Sequence, residues 1–360
     1  MYSLVFNRYP YPSSLYKYAK DLYDGNSGES SLINIITDSS RWLNKHFGQD
    51  VNVVMPNHLY ISGLMSRLTF RNARRIISEY KQIDERLIVH LAAPFANPSF
   101  AAGFPRTVTI HDNPESMFEK GEYRRSSEPL SSYSWRMRMT EMLYHKAMKL
   151  PYICVDSKHV AVSMNEYGYN GKALVLYPAV SRIFERVEDK IEARKRLHLP
   201  LDRTLILSIS IDEVRKNLEM VKKVKSVVKY WASVVRIGSD IGCDYTFKDI
   251  DDTTMNLVYN ACDLLLMPSL EEGFGYPVVE AFKVGLPVVA SDIDVFHEVA
   301  GEAAVFVDPL NLDDVLRGVH EAMDNKESIT RKGAERVRMF EIEAFSSRLK
   351  QIYEVISKKS

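Results

Sequence analysis

Two carboxylates, Glu272 and Glu280, stand eight residues apart in the run SLEEGFGYPVVEAF. The first belongs to a glycine-containing loop. The second lies inside the helix that the loop opens, with Pro277 in the first turn, where a missing N–H costs nothing. A helix N-terminus offers unpaired N–H groups and a partial positive charge, so it suits a phosphorylated ligand. Gly273 and Gly275 would let the backbone approach that ligand where a side chain could not. Carboxylates flanking the N-terminus can accept hydrogen bonds from vicinal hydroxyls, as they do around sugar rings. A GFG loop on its own is more often a surface loop leading into a buried helix, with Glu272 as an N-terminal charge and Glu280 solvated or capping.

Two cations, Arg215 and Lys216, open another helical pattern, VRKNLEMVKKV. Positive charge at a helix start opposes the dipole, so a bound anion explains the pair better than solvation does. His111, in TIHD, ends a strand, and ligands collect at strand ends in parallel sheets. A lone histidine there is more often structural. Asp112 and Asn113 are read evenly as facing a second substrate or as capping the next turn.

The elements that must position these residues alternate along the chain. Short apolar or β-branched runs (YSLVF, INIIT, VNVVM, LIVHLA, TVTIHD, YICVD, then TLILSIS, SVVRIG, CDLLLMP, PVVAS, AAVFVD) are separated by amphipathic stretches. That rhythm predicts an α/β fold with two doubly wound parallel sheets. A length of 360 residues also favours two domains. The junction is expected near Arg182, after a short strand ending at Pro178. It gives domains 1–181 and 182–342, with a last helix, about 343–360, packing back on the first.

Composition excludes disorder and fibrous repeats. Residues 1–180 hold 21 Lys and Arg against 16 Asp and Glu, and residues 181–360 hold 26 against 31, so the halves carry +5 and −5. Such an offset suits two surfaces that attract each other and does not imply nucleic acid. Cys154, Cys243 and Cys262 have no metal-ligand spacing and read as reduced small hydrophobes. The opening MYSLVFNRYP is expected to be a first strand and no signal peptide, and no apolar run approaches a membrane span. In residues 124–149, Arg124, Arg125, Arg136, Arg138, Lys146 and Lys149 accompany Trp135 and Met137. An amphipathic helix with a basic outer face is the favoured reading there, and contact with a membrane surface the minority one.

The whole run from Glu272 resembles the signature of the large retaining glycosyltransferase family of the GT-B fold (group 1, family four type), E-G-F-G-x-P-x-x-E-A followed by G-x-P-V-V-A-S. VRKNLEMVKKV looks like that family's R-K-N-L element. TFKDIDDTTMNLVYNACD looks like the strand, loop and helix before the signature, and SDIDVFHEVAGEAAVFVDP like the segment after it. TVTIHD, YICVDSKHVAVSMNEYGY and ALVLYPAVSRIF match its N-terminal blocks. The resemblance runs from about Thr107 to the C-terminus.

It implies two Rossmann-like domains facing a deep cleft. By carry-over, Glu272 would hold hydroxyls of the transferred sugar, assisted by backbone N–H groups around Phe274 and Gly275. Glu280 would bind the ribose diol, and Lys216 with Arg215 would neutralise the diphosphate. Gly273, Tyr276, Val278 and Ile250 would complete the nucleotide-sugar site. His111 would sit beside the reacting sugar and, with Glu272 and Lys216, form the catalytic set. The donor would be a nucleoside-diphosphate sugar, UDP or GDP, with no metal and no other cofactor; no DxD lies between a strand and a loop. The acceptor would be a sugar, a lipid-linked molecule or a protein, and the location cytoplasmic or peripheral at the cytoplasmic membrane face. Domain closure would bring His111 toward the Glu272 loop, and an unliganded cleft would stand open.

Two features depart from the family pattern. FNRYPYPSSLYKYAK has no glycine where a glycine-rich loop follows the first strand, leaving Arg8, Ser13 or Ser14 to supply contacts. SISIDEVRKN carries Ser210 and Ile211 where relatives have G-R or G-T, which removes one expected cation. Rival readings are a non-catalytic nucleotide-sugar-binding module and a GT-B-fold epimerase or phosphorylase. A dinucleotide dehydrogenase is set aside because no G-x-G-x-x-G follows any strand.

Overall fold

The computed structural model describes residues 3–7, 14–26, 30–37, 51–55, 77, 87–94, 101–125, 128–187 and 189–358. Arg8 and Ser13 of the glycine-less loop lie outside them.

Seven strands, β1 Ser3–Asn7, β2 Ser30–Thr37, β3 Val51–Met55, β4 Ile88–Leu91, β5 Arg106–Ile110, β6 Tyr152–Val155 and β7 Lys172–Val175, form one sheet in the order β3-β2-β1-β4-β5-β6-β7. Six more, β8 Thr204–Ile209, β9 Ala232–Ile237, β10 Tyr245–Phe247, β11 Leu264–Met267, β12 Val288–Ser291 and β13 Val305–Val307, form a second in the order β10-β9-β8-β11-β12-β13. Every pairing is parallel. Strands β6, β9, β11 and β12 are buried along their whole length, as expected where helices cover both faces of a sheet. The edge strands β7 and β10 are short and only partly covered.

Strand order reverses between β1 and β4 in the first sheet and between β8 and β11 in the second. At such a switch point the loops leaving the two strands diverge and open a crevice at their carboxyl ends. Each of the residues singled out for chemistry, save those of β10 and its loop, follows one of these central strands or its neighbours.

Leu176 and Ala179 pack in a core with residues of the first sheet, whereas Val180 and Phe184 pack in the core of the second. The chain returns further on. Phe340 belongs to the second core, and Phe345, Leu349, Ile352, Tyr353 and Ile356, on the helix Ile342–Ser357, pack against Tyr18, Ala19 and Leu22. The two passages are tied by the Val180 N–H, which donates to the Phe340 carbonyl at 2.7 Å. The returning helix is also held through His90, whose Nδ1 lies 3.0 Å from the Tyr353 hydroxyl and whose Nε2 lies 2.7 Å from Thr109 Oγ1. Burial pushes His90 down to about 3, so it serves as a neutral crosslink. Among the described residues no helix is long and apolar enough to cross a membrane.

Candidate functional site

Two loops meet at the switch point of the second sheet. The loop after β8 ends in a 3-10 turn, Val214–Lys216, and Asn217 then takes a left-handed conformation (φ 51°) before the helix Leu218–Val228. Asparagine tolerates that region better than most residues. Arg215 and Lys216 therefore sit in the turn, not in the first turn of the helix, and the dipole argument made from sequence does not apply to them. Asn217 clamps the neighbouring loops: its Nδ2 donates to the Pro268 carbonyl (3.0 Å) after β11 and to that of Pro309 (2.8 Å) after β13. The Leu270 N–H donates to the Arg215 carbonyl at 2.7 Å.

This clamp puts Glu272 between the two cations. Lys216 Nζ lies 2.6 Å from Glu272 Oε1, and Arg215 Nη1 lies 3.1 Å from Oε2. The Ser269 hydroxyl donates to Oε1 at 2.9 Å. Arg215 also holds Glu213 through Nε (2.8 Å) and lies over the Tyr123 ring, 4.2 Å from its centroid. All four charged groups are buried. Burial alone would raise the Glu272 pKa, but Lys216 and Arg215 hold it below the usual carboxylate value. Burial and the neighbouring Arg215 push Lys216 below its ordinary value despite Glu272. The cluster of two cations and two carboxylates has no net charge. An incoming diphosphate could bind the cations only by exchanging with these carboxylates.

The helix Tyr276–Val284 starts at Gly275, which has φ 95° and would place a Cβ 2.8 Å from the Phe296 ring. Inside the helix, Glu280 is buried and accepts from the Tyr259 hydroxyl at 2.5 Å. Burial raises its pKa, offset in part by Lys17. Lys17 comes from the first domain's helix Ser14–Gly25 and pairs with Asp252 at 2.6 Å. Thus a first-domain cation stands over the carboxylate assigned to ribose. Tyr276 is half-buried, and its hydroxyl is a buried group without a hydrogen-bond partner. Ile250 is half-buried against the second core.

Three of the expected site residues have side chains or Cβ positions taken up by the protein itself. Val278 has no exposed surface, packs in the second core, and donates its N–H to the Gly275 carbonyl at 3.0 Å, so it presents nothing to a ligand. Phe274 is likewise core, its ring against Tyr276 and Phe340. Gly273 leaves room for protein, since a Cβ there would lie 1.7 Å from the His111 carbonyl oxygen. The cleft is therefore in contact at this point, not open.

In the first domain, His111 and Asp156 end the paired strands β5 and β6, where Ile110 stands opposite Val155. His111 Nδ1 lies 2.7 Å from Asp156 Oδ2, and Nε2 lies 2.5 Å from the Ala92 carbonyl. The Ala92 carbonyl can only accept, and Asp156 does so when ionised, although its own burial raises the Asp156 pKa against the opposing pull of His111. Burial would lower its pKa, but the Asp156 carboxylate and the Ala92 carbonyl raise it on balance. The ring expected to touch a sugar thus has both nitrogens occupied, and what faces the second domain is the His111 carbonyl. Asn113 caps the helix Pro114–Phe118 and also accepts from the Ser163 hydroxyl at 2.5 Å, which decides for it between the two readings.

Further contacts close the domains on one another. The Ser157 hydroxyl donates to the Gly273 carbonyl (2.7 Å), and Val214 and Arg215 N–H groups donate to the carbonyls of Arg124 (3.1 Å) and Glu122 (3.0 Å). His159 pairs with Glu271 at 2.9 Å, and the Lys158 and His159 N–H groups donate to Glu298 at 2.7 and 3.1 Å. Lys17 with Asp252 and His159 with Glu271 join the basic half to the acidic half.

Asp156, Glu213 and Lys17 were missed from sequence. For Asp156 the signal was available: it follows a strand run, as His111 does. Glu213 and Lys17 acquire partners only through tertiary contact. Beside Ser210, where a cation was expected, lies the fully buried Arg236 of β9. Its Nη2 donates to the Ser210 carbonyl at 2.9 Å and its Nε to the Ser239 carbonyl at 2.7 Å. That guanidinium supports the loop from behind. Among the described residues no three His, Cys, Asp or Glu side chains converge on a common point.

Residues 245–337 match the family model "Glycosyl transferases group 1". The chain is similar to O-antigen chain mannosyltransferase B of Escherichia coli, 27% identical over 110 residues, covering 30% of this chain and 29% of that protein. It is also similar to the MMP alpha-(1->4)-mannosyltransferase of Mycolicibacterium hassiacum, 25% identical over 266 residues, 68% of this chain and 62% of that one. The chain thus spans less than two thirds of either relative. Among solved structures, Anabaena HepE in complex with UDP and glucose superposes with a TM-score of 0.76 at 14% identity, covering 99% of this chain and 100% of that one. Two parallel sheets with loops converging at their carboxyl ends give the chain the GT-B fold, and its residues 245–337 are those that match the group 1 glycosyltransferases.

Proposed function

We propose that this chain is a retaining, metal-independent hexosyltransferase of the cytoplasm, taking its sugar from UDP or GDP and delivering it to a hydroxyl of a sugar, lipid-linked or protein acceptor. The observation that carries the reading is Glu272, buried between Lys216 and Arg215 at the switch point of the second sheet. On this reading residues 182–342 bind the donor and residues 1–181 the acceptor. Arg215 and Lys216 pass from Glu272 to the diphosphate when the donor enters. Glu272, released, accepts from hydroxyls of the transferred sugar, and Glu280 takes the ribose diol in place of the Tyr259 hydroxyl.

The acceptor oxygen then bonds to the anomeric carbon on the face the phosphate leaves. The C–O bond to phosphate breaks with its electron pair going to the phosphate, and the acceptor proton passes to a phosphate oxygen. Charge grows on the leaving group as this happens. Cations fixed beside it favour the transition state over the ground state, which is what accelerates a reaction. His111, buried with both nitrogens engaged, acts through its main chain beside the Glu272 loop. Mannose is the first sugar to try, because both relatives named above are mannosyltransferases.

The test is release of nucleoside diphosphate from GDP-mannose, UDP-glucose and further UDP and GDP sugars, together with thermal shifts. Glu272→Gln is expected to lower turnover on the order of 100-fold with little change in donor binding, and Glu280→Ala to raise the donor KM with a smaller effect on kcat. Failure of every donor to shift the thermal midpoint overturns the donor site. Binding without release over any acceptor overturns catalysis in favour of a binding module.

A further inference from the structure

The helix Leu130–Ala147 buries Tyr133, Met137, Tyr144 and Ala147 in the first-domain core. With one face so engaged, its other face should be polar. On a 3.6-residue period, however, Trp135, Arg138, Met142, His145 and, just beyond the helix, Lys149 share that outer face. Trp135 is 64% exposed and Met142 42%, with Met139 (43%) beside them. A tryptophan this exposed contributes nothing to the core below it.

Apart from His145, 3.9 Å from Glu141, the basic side chains on the same face are just as unpartnered. Arg136, turned toward the protein, is fully used by Glu128 at 3.0 and 2.7 Å. Arg138, Lys146 and Lys149 have no ion pair among the described residues. Glu141, the one acid in this stretch of helix, accepts from the Tyr167 hydroxyl at 2.9 Å. Arg138, Met142, His145, Lys146 and Lys149 border a shallow groove of about 500 Å³.

We propose that this face docks on an anionic lipid bilayer. The cations would meet headgroup phosphates, and Trp135, Met139 and Met142 would enter the boundary between headgroups and acyl chains. Apolar and cationic side chains are interleaved along a helix lying on its side, which is how interfacial helices divide their contacts. Tryptophan is favoured at headgroup depth, and lysine and arginine near an anionic surface are attracted to it. A protein partner fits less well, since protein interfaces gather their apolar residues centrally and exclude lysine from that centre. The inference stands apart from the transferase reading, because docking is measured with no donor present.

The experiment floats the full chain with phosphatidylcholine vesicles and with vesicles also containing phosphatidylglycerol. Binding to the anionic vesicles alone is expected, falling as salt rises, with a blue shift of tryptophan fluorescence that Trp135→Phe removes. The double variant Arg138→Glu, Lys149→Glu should weaken binding on the order of 100-fold, about one tenfold step per reversed charge. Trp135→Ser should weaken it at every salt concentration. Circular dichroism and an unchanged thermal midpoint report that the variants are folded. Absence of binding to anionic vesicles at low salt overturns the proposal. So does binding that neither variant changes, or self-association that Trp135→Ser abolishes while vesicles are ignored.

Discussion

Two clusters of buried charge lie at the carboxyl ends of parallel strands, one in each domain, and they are built differently. In the first domain Asp156 Oδ2 and the Ala92 carbonyl take the two ring nitrogens of His111, while Asp156 Oδ1 is buried with no hydrogen-bond partner among the described residues. In the second, Arg215 and Lys216 share Glu272 and Glu213 across loops that leave different strands. The first cluster is closed around the imidazole, whose two nitrogens both find partners within the domain that carries it. The second is neutral only while protein carboxylates stand where an anionic ligand would. A partner exchange at the second cluster trades one buried ion pair for another, whereas at the first it strands a charge. One is built to hold geometry, the other to exchange partners.

The sharpest way to break this contrast is at the point where the clusters touch. Gly273→Ala would drive a Cβ into the His111 carbonyl, 1.7 Å away, so the Glu272 loop must retreat. A displacement near 1 Å at a reacting centre costs on the order of 100-fold in rate. Nucleoside diphosphate release should fall by about that factor, with the second domain still folded by circular dichroism. Full activity would show that the two clusters work apart.

Asp156→Asn separates structure from chemistry in the closed pair. It leaves His111 facing an amide in place of a carboxylate and is expected to cost ~1–3 kcal/mol of stability, read as a lower thermal midpoint. Donor KM should stay as it was. An unchanged midpoint with a raised KM would reverse the roles assigned to the two clusters.

The smallest effect concerns the seam between the domains. The hydrogen bond and charge of Glu271 raise the His159 pKa above its ordinary value, with Asp294 and Glu298 adding to the effect and partial burial opposing it. The pair thus contributes in full below the unfolded histidine value of about 6.5 and is lost as pH rises through the raised folded value. The half-exposed setting limits it to under ~1 kcal/mol. The gap in thermal midpoint between the wild type and Glu271→Gln should be widest at mildly acidic pH and narrow above neutrality. A gap that widens with pH would contradict the sign.

Parallel sheets were legible because strands buried on both faces are mostly apolar, as LLLM is throughout and TLILSI is but for Thr204 and Ser208. The loop before the helix Tyr276–Val284 was legible because Glu272, Gly275 and Glu280 answer local demands: a carboxylate before a helix, a left-handed residue at its start, a second carboxylate in its early turns. Gly273 misled because a glycine records only that something comes close, and the neighbour proved to be the His111 carbonyl. Val278 misled because a family position and a core position look alike in one dimension.

From sequence alone came two doubly wound domains, the switch-point loops with their charges, and a basic helix bearing Trp135. These follow from periodicity and residue type, which are local. Tertiary structure alone decided that Lys216 and Arg215 are held by Glu272, that His111 is spent on Asp156 and Ala92, that Lys17 stands over Glu280, and that Trp135 faces outward. Each depends on residues far apart in the chain, and hydrogen bonds and ion pairs require a separation of about 3 Å that no spacing in sequence encodes.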